Sequence, residues 1–408
     1  MKHTHSLLAV MMVAMVSLLP VATCAQEWLK AGPYLQELTA DGVTVVFENS
    51  IKSFSWVEVR KKGTTAAQTC YDERDGQHQI YSEVVAPQVA APTQNFVVRL
   101  DGLSSSTDYE YRVCTQVVNW MRPYSASVGE AYQGDWQTFR TLDPDATEHH
   151  LVVVSDMHCR PDVLEEMLNA LDYQSAGHII YAGDMMNNMQ IMANSAMEPE
   201  EPYASFVNKS VELFARNLDF CMLRGEHETR GDIARHFRTY FPHRSGRLYN
   251  ACRWGDLMVV FLDGGESAAD GEPLARVTNL GAFDQYREDE ARWLAGVVES
   301  EEYRSARYRI VFSHFPVTNE PLDEAEAGAA HFASLMLPVL NRANVDLLVS
   351  GHRHPEGYTM IGKGSKGNDF PVLVQGYNFG TRIDIVDGDI TVRTASAGVK
   401  TKTKRLRR

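Results

Sequence analysis

The sequence predicts an α/β domain preceded by an all-β sandwich. Two observations carry this reading. From Trp28 to about Leu142, short alternating runs are broken by turn residues, the pattern of a β-sandwich. From about Glu148 onward, continuous apolar runs alternate with helix-period segments, the pattern of a sheet buried on both faces. A third observation concerns chemistry: Asp, His and Glu gather where those apolar runs end.

The chain has 408 residues, enough for two or three cores. Its formal charge is −14, which argues against nucleic acid as a partner. A phosphate substrate is still compatible, because a bound cation outweighs the balance locally. Lys2 opens a weak positive region, and Leu7 to Leu19 is an apolar run too short to span a bilayer comfortably. Pro20 breaks it, and Ala22-Thr23-Cys24-Ala25 offers small residues for cleavage after Ala25. Residues 1–25 are therefore expected to be a signal peptide and the mature chain to be exported, periplasmic or secreted. A retained anchor helix and lipid attachment at Cys24 are the alternatives; Thr23 fits a lipoprotein signal poorly. No later stretch reads as a membrane helix. Cys70, Cys114, Cys159, Cys221 and Cys252 remain after cleavage, with no C-x-x-C pair and no assignable disulfide.

In the sandwich, residues 43–47, 56–60, 95–100 and 109–113 read as strands. Trp120 and Trp136 suit a sandwich core and rim, or a glycan-binding face. A polar linker, 143–148, leads to the second region. There Leu151–Val154, His178–Ala182, Phe220–Leu223, Leu257–Leu262, Tyr308–Phe312 and Val345–Val349 read as buried strands. Helices are expected after Pro161 and over residues 203–217, 232–240, 284–298 and 331–341, with a strand meander over 370–394. Residues 396–408 read as a solvated basic tail.

Five ionisable clusters fall at strand ends: Asp156 with His158, Asp184, the hub Arg224-Gly225-Glu226-His227-Glu228, His314, and His352 with His354. Open α/β sheets hold ligands beyond the carboxyl ends of their strands, so the clusters are expected to converge. Oxygen and nitrogen donors without thiolate suit Mn, Zn or Fe, and there are enough for two ions sharing one carboxylate. Two such ions clamp a phosphoryl group and acidify a water.

Asp156-x-His158, Gly183-Asp184, Gly225-Glu226-His227-Glu228, His314 and Gly351-His352-x-His354 resemble the ordered motifs of calcineurin-like metallophosphoesterases, over about Glu148 to Thr394. The N-terminal region resembles the fibronectin type III-like domain that precedes the catalytic domain of purple acid phosphatases. Leu100 to Tyr111 is similar to that domain's tyrosine corner, and Gly32-Pro33-Tyr34-Leu35-Gln36 to the start of that family. The resemblance implies a four-layer αββα sandwich over residues 148–395 after a β-sandwich over 28–142. It implies a first metal on Asp156, His158 and His354, a second on Glu226, His314 and His352, and Asp184 as the bridge. It makes His227 a general acid or transition-state stabiliser facing the leaving group, with Glu228 orienting its imidazole, and a hydroxide held on the metals the attacking group. The implied activity is phosphatase or phosphodiesterase, on a small-molecule or exposed phosphate ester.

Two departures qualify it. The family motif is G-N-H-[DE], but Glu226 stands where the Asn ligand belongs. That favours, as the alternative, a degenerate protein acting in binding or at a surface. Asn187 stands where purple acid phosphatases carry their G-D-x-x-Y tyrosine, and His158 fills a position those enzymes fill differently, so a purple iron centre is not expected. Arg224, Arg230 and Arg353 are candidates for holding phosphate oxygens, or are structural ion-pair partners. Asn187 and Asn188 are candidates for hydrogen bonds to substrate. His331 is expected to cap a helix or lie on the surface. Met185, Met186, Met189, Met192 and Met197 are expected to pack, and residues 187–202 and 264–280 to line the cleft.

Overall fold

The computed structural model describes residues 28–74, 76–81, 95–191, 199–271, 280–396 and 399–406. The segment 1–25 expected to be a signal peptide, Met192, Met197, and residues 192–198 and 272–279 of the segments expected to line the cleft lie outside the described residues. Two six-stranded sheets face each other in the second region. One runs Phe220–Leu223, His178–Ala182, His149–Val154, Phe379–Val386, Asp389–Ser396, Val399–Leu406; its first three strands are parallel and the rest antiparallel. The other runs Asn250–Trp254, Leu257–Leu262, Tyr308–Ser313, Leu347–Ser350, Val372–Gln375, Tyr358–Ile361, parallel across its middle four strands.

The period of two explains why the strands are apolar throughout. Leu151 and Val153 point between the sheets, where Ile180, Val259, Ile310 and Val349 meet them. Val152 and Val154 point outward, against Leu164, Met167 and Phe206 of the covering helices. The helices Phe283–Glu299 and Ala327–Leu340 cover the other sheet through Leu294, Phe332 and Met336. The layers are helix, sheet, sheet, helix, and Pro161 opens the first helix, where its missing N–H costs nothing.

Two expectations need correction. The tail expected to be solvated is a strand, Val399–Leu406, with Ile390 opposite Leu406 and Thr391 opposite Arg405. The strand Asp389–Ser396 would otherwise present an open edge, and alternating Thr and Lys suits the strand that covers it. His331 is not at a helix start. The small residues from Ala327 to Ala330 extend the helix, and His331 Nδ1 lies 3.2 Å from Asp284 Oδ1.

The N-terminal strands form a three-stranded sheet, Leu29–Gln36, Gly42–Asn49, Phe96–Asp101, and a larger one built on Ser53–Lys61 and Asp108–Arg122, around Leu35, Val45, Phe47, Val57 and Tyr111. The Ser104 N–H donates to the Tyr109 hydroxyl at 2.8 Å, the bond of a tyrosine corner. Trp136 lies beneath the Arg60 and Arg112 guanidinium groups at 3.8 and 4.6 Å, and Trp120 is part-exposed. This region is fused to the second. Tyr34 donates to the Tyr240 carbonyl at 2.6 Å, Gln36 Nε2 to the Phe220 carbonyl at 2.9 Å, and Tyr111 to the Arg216 carbonyl at 2.8 Å. Among the described residues no helix is long and apolar enough to cross a membrane, and the five cysteines are free.

Candidate metal centre

The strand-end loops are tied to one another by backbone bonds. Asp156 N donates to the Gly183 carbonyl, His158 N to the Asp184 carbonyl, and Gly351 N to the His314 carbonyl, at 3.0, 3.1 and 3.0 Å. The turns are tight. Asp156, His158, Asp184, His352 and His354 all take positive φ, between 42° and 70°, a region non-glycine residues occupy at a cost. Space is tight as well. A Cβ on Gly225 would sit 2.2 Å from Asp184 Oδ1, and one on Gly351 2.2 Å from Asp156 Oδ2. The glycines of the motifs are therefore clearance for the carboxylates beside them.

The structure brings all seven predicted ligands together. Donor atoms of Asp156, His158 and His354 lie within 4.8 Å of one another, as do those of Glu226, His314 and His352. Asp184 groups with Asp156 and His314 on one side and with Glu226 and His227 on the other, the place of a bridge. Hydrogen bonds set the histidine tautomers. His314 Nδ1 donates to the Ala182 carbonyl at 2.9 Å, and His158 Nδ1 to Asn187 Oδ1 at 3.2 Å. That turns Nε2 of each ring toward the cluster: the buried Nε2 atoms of His158 and His352 have no hydrogen bond, while that of His314 lies against Asp184 and Glu226.

The charges point the same way. Burial, with Glu226 and Glu228 alongside, pushes Asp184 well above the usual carboxylate range despite His314. Burial pushes His158 down to about 4, which keeps it a neutral donor at pH 7. Burial also opposes the charge on His314, but the Asp184 and Glu226 carboxylates override it and raise this imidazole well above its ordinary value. Three buried carboxylates, with His158 neutral and His314 charged between two of them, are a donor set that fits metal ions, which would take the place of the His314 proton and relieve the crowding of like charge.

Glu226 does not disrupt the cluster. It is 7% exposed, with Oε2 2.8 Å from His314 Nε2 and Oε1 3.1 Å from His352 Nδ1. Its extra methylene carries a carboxylate into reach of both histidines.

Around the ligands, the structure reassigns several residues. Glu228 does not orient His227. Its oxygens accept from the backbone N–H groups of Asp184, Met186 and Gly225 at 2.9, 3.1 and 2.8 Å, because the 3-10 turn His227–Thr229 aims it inward. His227 is held by the Asn187 carbonyl, which accepts from Nδ1 at 2.7 Å; its Nε2 lies 3.9 Å from Asp184 Oδ2. Asn187 is a positioning residue rather than a free substrate contact, since its amide nitrogen donates to Glu200 Oε1 at 3.0 Å. Arg230 is engaged by Glu266 in two bonds, 3.0 and 2.7 Å, and Arg224 by Asp263 at 3.0 Å. Arg353 is looser: 3.7 Å from Glu326 and one-third exposed. Asn188 donates to Glu200. Met185, Met186 and Met189 are buried in the core.

Sequence reasoning missed Tyr377. Its ring centroid lies 5.7 Å from that of His158 and 5.4 Å from that of His354, beneath the Arg160 guanidinium. It sits in the turn after Val372–Gln375, and the only signal was an aromatic residue in a turn of the final meander.

The calcineurin-like phosphoesterase family profile matches residues 149–356. No curated protein matches the sequence. The purple acid phosphatase PPD1 from yellow lupin (Lupinus luteus) seeds has a similar structure, with a TM-score of 0.62 at 13% identity over 91% of this chain and 73% of that one. That likeness extends the shared fold through the N-terminal β region. A protein of Thermus thermophilus matches 64% of this chain and all of its own at 17% identity, but its TM-score of 0.37 is too low to support an argument. On the family match and the converging ligands, this chain belongs to the calcineurin-like phosphoesterases, metal-dependent hydrolases of phosphate esters.

Proposed function

We propose that the protein hydrolyses phosphate esters at a pair of divalent or transition-metal ions, Mn, Zn or Fe, and that it works after export. The observation that carries this is the sharing of Asp184 between two donor groups, one containing Asp156 and the other Glu226. Asp156, His158 and His354 would hold one ion, Glu226, His314 and His352 the other, and Asp184 both. Bound, such ions supply Lewis acidity toward phosphoryl oxygens and lower the pKa of a water.

The chain's own residues do the rest. The Ala182 carbonyl and the Asn187 side chain fix which nitrogen His314 and His158 offer. Glu228 ties the turn that carries Asp184 to the one that carries Gly225. His227, with Nδ1–H on the Asn187 carbonyl, presents Nε2 to the cleft; burial and Arg230 lower its basicity, so it would pass a proton to the departing ester oxygen only from the imidazolium form, with Nε2 protonated first. Of Arg224, Arg230 and Arg353, Arg353 is the one with freedom to meet a phosphate oxygen. Export rests on the apolar run Leu7 to Leu19 and the small residues before Ala25.

The test is metal content and turnover together, on protein lacking residues 1–25. It would be loaded with Mn, Zn or Fe and offered an aryl phosphate monoester and diester, beside Asp184→Ala and Glu226→Asn. About two ions per chain and turnover lost in Asp184→Ala are expected. Metal uptake with turnover only in Glu226→Asn would instead favour a binding protein with a retired site. Neither uptake nor turnover would overturn the reading.

A further inference from the structure

Tyr377 is one of few large apolar or aromatic side chains left exposed among the described residues, at 42%, and it stands beside the donor cluster. Exposed aromatics on a monomer surface need no explanation singly. This one is built in. Arg160 stacks on it with the guanidinium carbon 3.9 Å from the ring centroid. Arg160 is itself fixed, its Nε donating to the Met157 carbonyl at 2.7 Å and its Nη2 to the Asp156 carbonyl at 3.2 Å. The ring is thus tied to the loop that carries Asp156 and His158.

Its position is asymmetric about the site. His158 and His354, next to Tyr377, belong to one donor group. The other group is flanked instead by Phe315, whose ring packs 4.7 Å from that of His352 and is itself buried. Among the described residues, the Asp156 side therefore offers the exposed aromatic ring beside the place where phosphate would lie. A braced ring loses little freedom when a flat group settles on it, so stacking there is retained as affinity.

Resting on the phosphoesterase reading above, we infer that Tyr377, braced by Arg160, forms a stacking subsite that selects phosphate esters carrying a planar aromatic group. Aryl, arylmethyl and nucleoside esters share that chemistry.

The test uses metal-loaded protein and three non-hydrolysable ligands, benzylphosphonate, n-butylphosphonate and, as the nucleoside arm, the phosphonate analogue of adenosine monophosphate. Binding is read by calorimetry for wild type, Tyr377→Phe and Tyr377→Ala. Tighter binding of benzylphosphonate than of n-butylphosphonate is expected, with the difference lost in Tyr377→Ala by roughly tenfold and kept in Tyr377→Phe. n-Butylphosphonate should bind all three within about twofold, which shows that the metal ligands beside the ring are undisturbed. The adenosine phosphonate behaving like the benzyl ligand assigns nucleosides to the subsite; an adenosine phosphonate insensitive to Tyr377 restricts it to smaller rings. Equal losses for benzyl and butyl ligands, an unchanged ratio in Tyr377→Ala, or no binding of either phosphonate would overturn the proposal. Because binding rather than turnover is read, an inactive but stacking protein would sink the phosphoesterase reading and leave the subsite standing.

Discussion

At the scale of single residues, spacing shows which side chains are chemically able but not which way they point. All the metal-ligand candidates were legible because each follows a strand, and strand ends converge by the geometry of the sheets. The roles of Glu228 and Arg230 were not. A carboxylate or a guanidinium reads identically in sequence whether it meets substrate or backbone, and here a single 3-10 turn decides for Glu228. The corrected roles make separable predictions. His227 touches the cleft and holds no buried structure, so His227→Ala should lower kcat by roughly 10²–10⁴-fold with metal content unchanged. Parallel loss of metal, read by elemental analysis, would show it to be a ligand instead. Gly351→Ala acts the other way. Its Cβ would meet Asp156 Oδ2 at 2.2 Å, so metal at the Asp156 group should be lost first. One ion per chain in place of two is the expected stoichiometry; retention of both would mean the loop yields.

At the scale of elements, the buried strands were the legible part, because continuous apolar runs announce burial on both faces. The least legible was Val399–Leu406, whose Lys-rich pattern reads as a solvated tail when the edge it covers is not in view. Contacts between elements of different sheets were also hidden. His178, on one sheet, stacks on Trp254 of the other with centroids 3.5 Å apart and planes 3° from parallel. Burial, with His149 nearby, pushes His178 down to about 3. The folded value lies below the unfolded one near 6.5, so the neutral ring is the stable form. Its contribution is full above about pH 6.5 and is lost as pH falls toward 3, on the order of 4 kcal/mol over that window. His178→Phe keeps a ring on Trp254 and cannot be protonated. The variant should therefore show a shallower loss of stability between pH 6 and 4 in urea unfolding; an unchanged slope would assign acid lability to other groups.

At the scale of the whole molecule, the sequence reads as two modules joined by a polar linker, yet the packing does not divide there. Ala31, Tyr34 and Val46 belong to the same apolar cluster as Val152, Tyr181 and Phe220 of the catalytic region. Tyr34 is fully buried, its ring 5.8 Å from Phe220 and 6.2 Å from Tyr203, and its hydroxyl is bonded to the Tyr240 carbonyl. Leu38 N donates to Asp219 Oδ2 at 3.0 Å, immediately before the strand Phe220–Leu223 that leads to the hub. An interface made of shared core should unfold with the domains it joins, unlike the small polar contacts that let neighbours move independently. Calorimetry should therefore record one transition for the mature chain. Tyr34→Ala, which leaves a large cavity and removes the bond to the Tyr240 carbonyl, should cost roughly 3–5 kcal/mol and lower that single transition as a whole. If the N-terminal region instead melted separately, with the metal centre intact above its transition, the strands before the linker would be a passenger. With one transition, they are a wall of the catalytic core, and the strand carrying Glu226 and His227 owes part of its position to them.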